Sequence, residues 1–502
     1  MFLDTLQHLA NGFSVALTIK NLAYCLIGVT MGNIVGVLPG LGPVSAVALL
    51  IPLIHGTEPV SAMILLAGIY YGAMYGGSIT SVLLKVPGES SSVMTAIDGY
   101  ELALQGRAGP VLGICAIVSW IAGTVSVVFL TFFAPWLASF ALSFGPPEYF
   151  SLMVLGMSAV AALAGRDALK GTISAIIGLI LATVGSDVLT GSPRFHFGSI
   201  YLLDGIDFLV VAIGVFAITE ILDNLAEGTE MGGMISYGKW LNLLPTWQDL
   251  RQSTWPTIRG TFIGFAAGVL PGAGATIASF LSYATEKRIS KHPERFGKGA
   301  IEGVAGPEAA NNAATGGSMV PMLALGIPGS NVTAVMLGAL MMLGTIPGPM
   351  LFQENPKLVW GIIASMYIGN FMLLLLNIPL IGAFIQILRL PFSVLAVLVL
   401  ELSLVGVYAV GNNLFDLYIM FLFGVVGFFL KKLDFPPAPM ILALVLGKMF
   451  ETSFRRSLII SDGDFTTFLT RPLSLTLLLM AVLVFCYPLI LDFFRKTRAV
   501  KE

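Results

Sequence analysis

The sequence has few charged residues. Asp, Glu, Lys and Arg make up 11% of the 502 residues, whereas hydrophobic residues make up 56%. A soluble protein of this size would carry roughly 25% charged residues. The composition therefore excludes an ordinary soluble domain and indicates a chain that lies largely inside a membrane. The net charge of −2 adds little, because in membrane proteins the placement of charges is more informative than their sum.

Residues that carry common chemistries are also scarce. The three cysteines stand singly in apolar stretches, which argues against a disulfide or a metal site, and the four histidines are scattered. The sequence has no Gly-x-x-x-x-Gly-Lys-Ser/Thr loop for ATP phosphates and no His-Glu-x-x-His or Gly-x-Ser-x-Gly pattern for hydrolysis. We therefore expect no enzyme. The first residues lack a basic stretch, so no cleavable signal peptide is expected.

Long apolar runs are abundant. Each is close to the roughly 20 residues with which a helix crosses a bilayer, and together they predict an all-α polytopic membrane protein with about 10 to 12 transmembrane helices. Shorter runs interrupted by glycine and proline are candidates for broken or re-entrant helices. Clear examples of the long runs are 111–130, 358–376, 391–410 and 473–491.

A series of five glycines occurs twice, 232 residues apart. Glycines four apart lie on one face of a helix and let another backbone approach closely. Each series contains a proline, Pro39 or Pro271, that should interrupt the helix. Paired broken helices in matching halves of a membrane protein indicate the binding site of a transporter. The glycines are Gly28, Gly32, Gly36, Gly40 and Gly42, and then Gly260, Gly264, Gly268, Gly272 and Gly274.

The duplication extends beyond the glycines. In both copies a Gly-Gly-Ser phrase precedes a Pro-Gly pair by eleven or twelve positions, and both copies end on Gly-Pro. Four features in the same order make coincidence improbable. We divide the chain into a first half at 1–225 that holds repeat one at 27–110, a polar linker at 226–258, repeat two at 259–350, and C-terminal membrane scaffold helices at 351–502.

Lysine and arginine are distributed differently in the two repeats. Five of them follow the broken helix of repeat two within 287–298, whereas the matching segment 54–60 of repeat one has none. Conversely, Arg107 lies at the end of repeat one, and 344–349 at the end of repeat two is uncharged. Because lysine and arginine mark cytoplasmic loops, the opposite bias predicts inverted repeats. A parallel duplication with chance loop charges is the alternative.

The helix breaks predict an anion site. A break in hydrocarbon survives only when it is buried in protein or faces water, and the restarting helix presents free N–H groups and a positive dipole end. Inverted repeats would bring four such ends to one cavity, which would suit a ligand with several carboxylates. The alternative is that the glycines only permit tight packing. The candidate substrate-binding residues are Pro39, Gly40, Gly42, Ser45, Lys85, Pro87, Gly88, Ser90, Ser91, Pro271, Gly272, Gly274, Thr276, Pro328, Gly329, Ser330 and Asn331.

Among these candidates Lys85 is a cation next to an apolar run. It could contact a substrate carboxylate, pair with Glu89, or extend to the membrane surface.

A polar segment in repeat two is a candidate site for a coupling ion. Carboxylate and amide groups inside a membrane are costly and usually functional. They could hold a sodium ion, or Glu308 could carry a proton; hydrogen bonding between helices is the alternative. The candidate residues are Glu308, Asn311, Asn312, Thr315 and Ser318, and the first four are spaced to share a helix face.

Three phrases resemble the large membrane subunit of tripartite tricarboxylate transporters (TctA-like). They are Gly36-Val-Leu-Pro-Gly-Leu-Gly-Pro43, the stretch 303–317 with its Pro-Glu-x-x-Asn-Asn, and Leu325-Gly-Ile-Pro-Gly329. The resemblance covers essentially the whole chain. It implies uptake of tricarboxylates or related organic acids across a bacterial inner membrane by a secondary transporter, driven by sodium ions or protons and without another cofactor.

The resemblance also implies two partners, a small four-helix membrane subunit and a periplasmic solute-binding protein. Nothing indicates a nucleic-acid partner, and homo-oligomerisation is left open. We expect the loaded, neutralised site to cross the membrane as a rigid body, in an elevator-like motion. The alternative function is a cation/proton exchanger or a channel with no organic substrate.

Overall fold

The computed structural model describes residues 2–38, 42–163, 168–227, 244–272, 274–387 and 392–499. It is 81% helical with almost no strands, which confirms the all-α polytopic fold. In the described part of the chain, six helices are long and apolar enough to cross a membrane, and five further apolar helical segments are shorter. The six long helices are fewer than the 10 to 12 spans expected from the sequence, and the five shorter segments fall below the roughly 20 residues that cross a bilayer.

Repeat one is built from four helices in two broken pairs. The glycine helix α2 ends at Val37, two residues before Pro39, and a new helix begins at Pro43. The second break follows α4, whose last turn closes on Lys85 in the left-handed conformation. The N-terminal helices are α1 (Phe2–Ala16), α2 (Ile19–Val37), α3 (Pro43–Leu50), α4 (Pro59–Leu84), α5 (Val93–Leu102) and α6 (Ala108–Ala141), with 3-10 turns at Ile51–Ile54 and Ser90–Ser92 and a π-helical segment at Ala103–Arg107.

The middle of the chain contains a small antiparallel hairpin between membrane helices. Its strands β1 (Gly185–Ser186) and β2 (Pro193–Arg194) pair with Gly185 opposite Arg194. The helices here are α7 (Pro146–Leu163), α8 (Ala168–Ala182), α9 (Phe208–Ala212) and α10 (Thr219–Glu227), with a 3-10 turn at Ile200–Leu202 and a π-helical segment at Ile213–Ile218 that joins α9 to α10.

Repeat two has the same order of helices as repeat one. Residues 247–258, which the sequence assigned to the linker, form the first turns of its glycine helix, because a capping box between Thr246 and Asp249 starts that helix early. The helix ends at Val269, two residues before Pro271. The helices are α11 (Trp247–Val269), α12 (Gly274–Ile289), α13 (Glu302–Leu325) and α14 (Asn331–Met342), with a 3-10 turn at Pro293–Arg295.

The C-terminal helices pack on the N-terminal helices and on those between the two repeats. Helix α16 packs on α1, α4 and α6, while α20 packs on α7 and α8 and α22 packs on α7. Helix α19 lies against the π-helical segment between α9 and α10. These helices are α15 (Leu351–Glu354), α16 (Pro356–Asn377), α17 (Ile381–Ile387), α18 (Phe392–Gly411), α19 (Leu414–Lys432), α20 (Ala438–Ile460), α21 (Thr467–Thr470) and α22 (Pro472–Ala499).

The glycine helices pack in the same way in both repeats. Helix α2 packs along α4, and α11 packs along α13. A Cβ atom at Gly32 would collide with the backbone carbonyl of Ile69, and one at Gly264 with that of Ala310. Only glycine allows these backbones to approach so closely. Helices α4 and α13 are buried along almost their whole length and form the centre of the molecule.

Candidate functional site

The four helix breaks meet at one cavity of about 580 Å³. Helices α3, α12 and α14 begin at its wall, and so does the 3-10 turn that leads into α5. The first residues of each of these elements supply part of the lining, and α4, α10 and α19 supply the rest. Both repeats contribute one helix from their first break and one from their second.

Close packing of the Pro-Gly loops holds the two breaks of each repeat together. A Cβ atom at Gly88 would collide with the carbonyl of Gly36, at the end of α2. In repeat two, a Cβ atom at Gly329 would lie 2.6 Å from the carbonyl oxygen of Gly268, at the end of α11. The second break of each repeat is thereby fixed beside the first.

Contacts between the repeats complete the cavity. Helix α3 packs on α14, and α12 packs on the turn before α5, so each first break meets the second break of the other repeat. The hydroxyls of Ser90 and Thr276 are hydrogen-bonded at 2.8 Å. The Tyr70 hydroxyl lies 3.1 Å from the hydroxyls of both Ser318 and Ser330. This reciprocal arrangement is the one that a two-fold relation between the repeats produces.

The helix ends at the cavity differ in how their N–H groups are satisfied. Helix α14 carries a capping box in which the Ser330 hydroxyl accepts a hydrogen bond from the backbone N–H of Thr333. Helix α3 has Gly42 at its N-cap and no side-chain cap. Backbone donors at the start of α3 are therefore left for another acceptor, and the positive ends of several helix dipoles add to their attraction for an anion.

Three charged side chains line the cavity in the described part of the chain. They are Glu89, Glu220 and Lys431. The ammonium of Lys431 lies 2.8 Å from a carboxylate oxygen of Glu220 and 2.6 Å from one of Asp223. Lys431 is not among the residues that the sequence predicts for the site, and its place on the wall follows from the packing of α19 against α10.

Nine of the predicted substrate-binding residues line the cavity, and several do not. Pro39 and Gly40 lie outside the described residues. The hydroxyl of Ser45 points away and donates to the carbonyl of Phe216 at 3.4 Å. Four others do not line the cavity: Ser91, Pro271, Pro328 and Gly329. Those on the wall are Gly42, Pro87, Gly88, Ser90, Gly272, Gly274, Thr276, Ser330 and Asn331.

Lys85 is not part of the cavity wall. Its ammonium contacts a carboxylate oxygen of Glu101 at 3.2 Å and lies 5.2 Å from the centre of the Tyr100 ring. The side chain is 56% exposed. The left-handed backbone at Lys85 ends α4 and directs the chain toward α5. The structure therefore favours neither a contact of Lys85 with the substrate nor a pair with Glu89.

Glu308 lies in a fully buried cage of polar groups. One carboxylate oxygen accepts hydrogen bonds from Ser78 at 2.7 Å, Ser119 at 3.0 Å and the Asn312 amide at 3.2 Å, and the other accepts from Thr95 at 3.0 Å. Three helices besides α13 supply these donors. The cage is separate from the large cavity.

The other predicted coupling-ion residues do not join this cage. Asn311 donates to Glu89 at 3.0 Å, on another face of α13 from Asn312. Thr315 and Ser318 donate to carbonyl oxygens one turn earlier in their own helix, at 2.6 Å and 2.9 Å. The predicted coupling-ion residues therefore do not form one site. Asn312 belongs to the group around Glu308 and Asn311 to the group around Glu89, because neighbouring residues of a helix point in different directions.

A second cavity, of about 400 Å³, lies near the C-terminal end of α14. Three carboxylates and one ammonium line it: Asp204, Asp207, Asp416 and Lys448. This excess of negative charge suits an anion less well than the cavity at the helix N-termini.

The fold and the cavity define a class: a polytopic α-helical membrane protein with duplicated broken helices around a central site, as in secondary transporters. The comparisons with known proteins then identify the family. The tripartite tricarboxylate transporter TctA family matches residues 22–442, and the chain belongs to that family.

Two curated relatives come from Agrobacterium vitis. One, an uncharacterized 52.8 kDa protein in the TAR-I ttuC' 3'region, is 46% identical over 95% of this chain and 94% of its own length. The other, an uncharacterized protein in the TAR-II ttuC' 3'region, is 47% identical over 43% of this chain and 89% of its own length. No solved structure matches the chain.

Proposed function

We propose that the chain is the substrate-translocating subunit of a secondary, ion-coupled importer for tricarboxylates or related organic acids. The observation that carries the proposal is the cavity at which four helix N-termini meet. Each helix end offers backbone N–H groups and a partial positive charge, and hydroxyls of Ser90, Thr276 and Ser330 stand beside them. A substrate with several carboxylates can use several of these ends at once.

The family supports the remaining parts of the proposal. Its description is of a tripartite transporter, so we propose a small four-helix membrane subunit and a periplasmic solute-binding protein as partners. The relatives are bacterial, which supports placement in the bacterial inner membrane. Backbone-to-backbone contacts within α2–α4 and α11–α13 would let the repeats move as a rigid body past the C-terminal helices.

The cage around Glu308 is our candidate site for a coupling sodium ion. Its carboxylate has hydroxyl and amide neighbours and no cationic partner among the described residues. Beside it, the Tyr75 hydroxyl and Asn312 Oδ1 are buried and without a hydrogen bond. Glu308 and Tyr75 also line a void of about 10 Å³, which has room for one water-sized particle. A ring of hard oxygen atoms suits such a cation.

Uptake measurements in vesicles test the function. We expect saturable citrate or tartrate uptake that depends on a sodium or proton gradient when the complete transport system is present. The matched variants are Gly272→Ala and Gly191→Ala, since both glycines have a left-handed φ, +80° and +69°. A Cβ atom at Gly272 would lie 2.7 Å from the Ala159 carbonyl oxygen, whereas at Gly191 it would meet open space.

Gly272→Ala should therefore lower uptake at least about tenfold, because backbone strain and the collision of its Cβ atom displace the start of α12. Gly191→Ala introduces only the backbone strain of alanine at a positive φ. Equal uptake by both variants would contradict the placement of the site. Ion movement that is unsaturable and indifferent to carboxylates would instead support an exchanger or channel.

A further inference from the structure

Glu89 lies on the wall of the proposed substrate cavity and is 8% exposed. It stands at the second break of repeat one, directly before the turn that begins α5. Glu89 thus belongs to the lining of the space that an organic anion would occupy, and its carboxylate is hydrogen-bonded to Ser91 and Asn311. The sequence gives it no role beyond a pairing with Lys85, and Lys85 pairs with Glu101 instead.

The charges on this wall do not suit an anion as they stand. Lys431 and Glu220 pair with each other, so Glu89 remains as a carboxylate without a counter-ion among the described lining residues. An entering substrate with two or three carboxylates would meet this charge at short range in a medium of low polarity. A cation must therefore accompany the substrate if the cavity is to be filled.

The hydrogen bonds of Glu89 identify that cation. Three polar atoms meet in a triangle: Glu89 Oε1, the Ser91 hydroxyl and the Asn311 side-chain amide. The Ser91 hydroxyl contacts both Glu89 Oε1 and, at 2.7 Å, Asn311 Oδ1, although it has one proton to donate. Asn311 Nδ2 donates to Glu89 Oε1 at 3.0 Å. Three hydrogen bonds need three protons. Ser91 and Asn311 supply only two, so a third proton is needed.

Exchanging the oxygen and nitrogen of the Asn311 amide does not remove this deficit. The amide would then donate to Ser91 and Ser91 to Glu89, but Asn311 Oδ1 would face Glu89 Oε1 with no proton between them. A proton on the Glu89 carboxyl group completes the triangle in either orientation. Glu308 shows no such deficit, because each of its hydroxyl neighbours brings its own proton.

We propose that Glu89 binds the proton that is co-transported with the organic anion. The inference rests on the proposed function and names the residue that couples transport of the organic anion to a proton gradient. The proton comes from water on the side where the substrate enters and bonds to a carboxylate oxygen of Glu89. After the anion has left on the other side, the proton returns to water there. No other covalent bond changes.

The surroundings of Glu89 favour this role. Helices α12 and α14 present no ionisable side chain to the cavity, only hydroxyl, amide and apolar groups. The turn before α5 adds Ser90, which is bonded to Thr276. The ionisable groups around Glu89 are Tyr70 of α4 and Glu308 of α13, and across the cavity Glu220 of α10 and Lys431 of α19.

A purely structural role for Glu89 is the competing explanation, because Glu89 and Ser92 form a capping box at the start of the turn. The substitution Glu89→Gln separates the two roles. Glutamine keeps the side-chain oxygen that accepts the capping and amide hydrogen bonds, and it removes the exchangeable proton. Glu89→Asp keeps the proton on a shorter side chain. Glu101→Gln removes a carboxylate from α5 outside the cavity and is the matched control.

Citrate transport in vesicles that contain the complete system tests the proposal. With an acidic outside and no sodium gradient, we expect the wild type and Glu101→Gln to accumulate citrate. In both, the apparent affinity should weaken by up to about tenfold per unit rise in external pH. Glu89→Gln should still exchange external for internal citrate, without pH-driven accumulation and without that pH dependence. Glu89→Asp should regain part of the accumulation.

The protonation of citrate itself also changes with pH. Its effect is the same for all variants when they are measured in identical citrate solutions. Retained pH-driven accumulation in Glu89→Gln would overturn the role of Glu89 and leave the proposed function intact. Loss of exchange as well as accumulation, in a variant that inserts normally, would also overturn it in favour of the capping role. If the wild type exchanges neither citrate nor tartrate, the proposed function fails, and this inference fails with it.

Discussion

At the scale of single residues, the cavity combines a cation and two acids whose positions no local pattern reveals. Lys431 stands out because its side chain is 41% exposed on the wall and its ammonium already contacts Glu220 and Asp223. An ammonium held by carboxylates can exchange one of them for a substrate carboxylate with little change in solvation. Lys431 is thus placed to receive a carboxylate that the helix N-termini leave free.

Lys431→Met should weaken substrate binding. Loss of a charge-assisted hydrogen bond predicts a half-saturation concentration about 10- to 100-fold higher, with a smaller change in maximal rate. Uptake at varied citrate concentration measures both quantities. Lys432→Met is the control, since Lys432 is adjacent in sequence and does not line the cavity. Equal effects of the two substitutions would show a general loss of positive charge and argue against a specific contact.

At the scale of elements, the repeated glycine helices fix where the breaks lie. Helices α2 and α11 approach their partners so closely that carbonyl groups occupy the space of the missing side chains. Because the Pro-Gly loops of the second breaks rest on the ends of these helices, helix packing and cavity geometry depend on each other. Damage to the packing should therefore reach the site.

Gly264→Ala should destabilise the protein by about 1–3 kcal/mol, because its Cβ atom would collide with the carbonyl of Ala310. Gly156→Ala in α7 is the matched control: its Cβ atom would meet Ile327 at an ordinary 3.7 Å, and alanine favours a helix. Thermal unfolding of both purified variants in detergent measures the difference. An unchanged melting temperature for Gly264→Ala would mean that α11 and α13 are packed less tightly than described.

Much at this scale could be predicted from the sequence. The helix breaks after Val37 and Val269 depend on the local proline and glycine residues, and their occurrence in both repeats indicates that they are part of the fold. The sequence assigned the first turns of α11 to the linker because their composition is polar, although Thr246 and Asp249 have the spacing of a capping box.

The charged lining of the site could not be predicted in the same way. Lys431 and Glu220 are 211 residues apart in sequence, and their meeting depends on how α19 packs against α10. The different directions of Asn311 and Asn312 depend equally on which helices lie on each side of α13. Such long-range contacts leave no mark in the spacing of residues.

At the scale of the whole molecule, the two repeats are arranged reciprocally. Each first-break helix packs on the second-break element of the other repeat, α3 on α14 and α12 on the turn before α5. This arrangement brings four positive helix ends to one cavity, whereas either repeat alone would supply two. The anion site thus depends on the pairing of the repeats and on no single motif.

The most direct measurement of this central claim is an electron cryo-microscopy map of the full chain in complex with its membrane partner at saturating citrate. We predict density for one citrate between the first turns of α3, α12 and α14 and the 3-10 turn before α5, with at least two of its carboxylates at hydrogen-bond distance from backbone N–H groups. Citrate bound elsewhere, or the same four helix ends packed together without a ligand between them, would contradict the account.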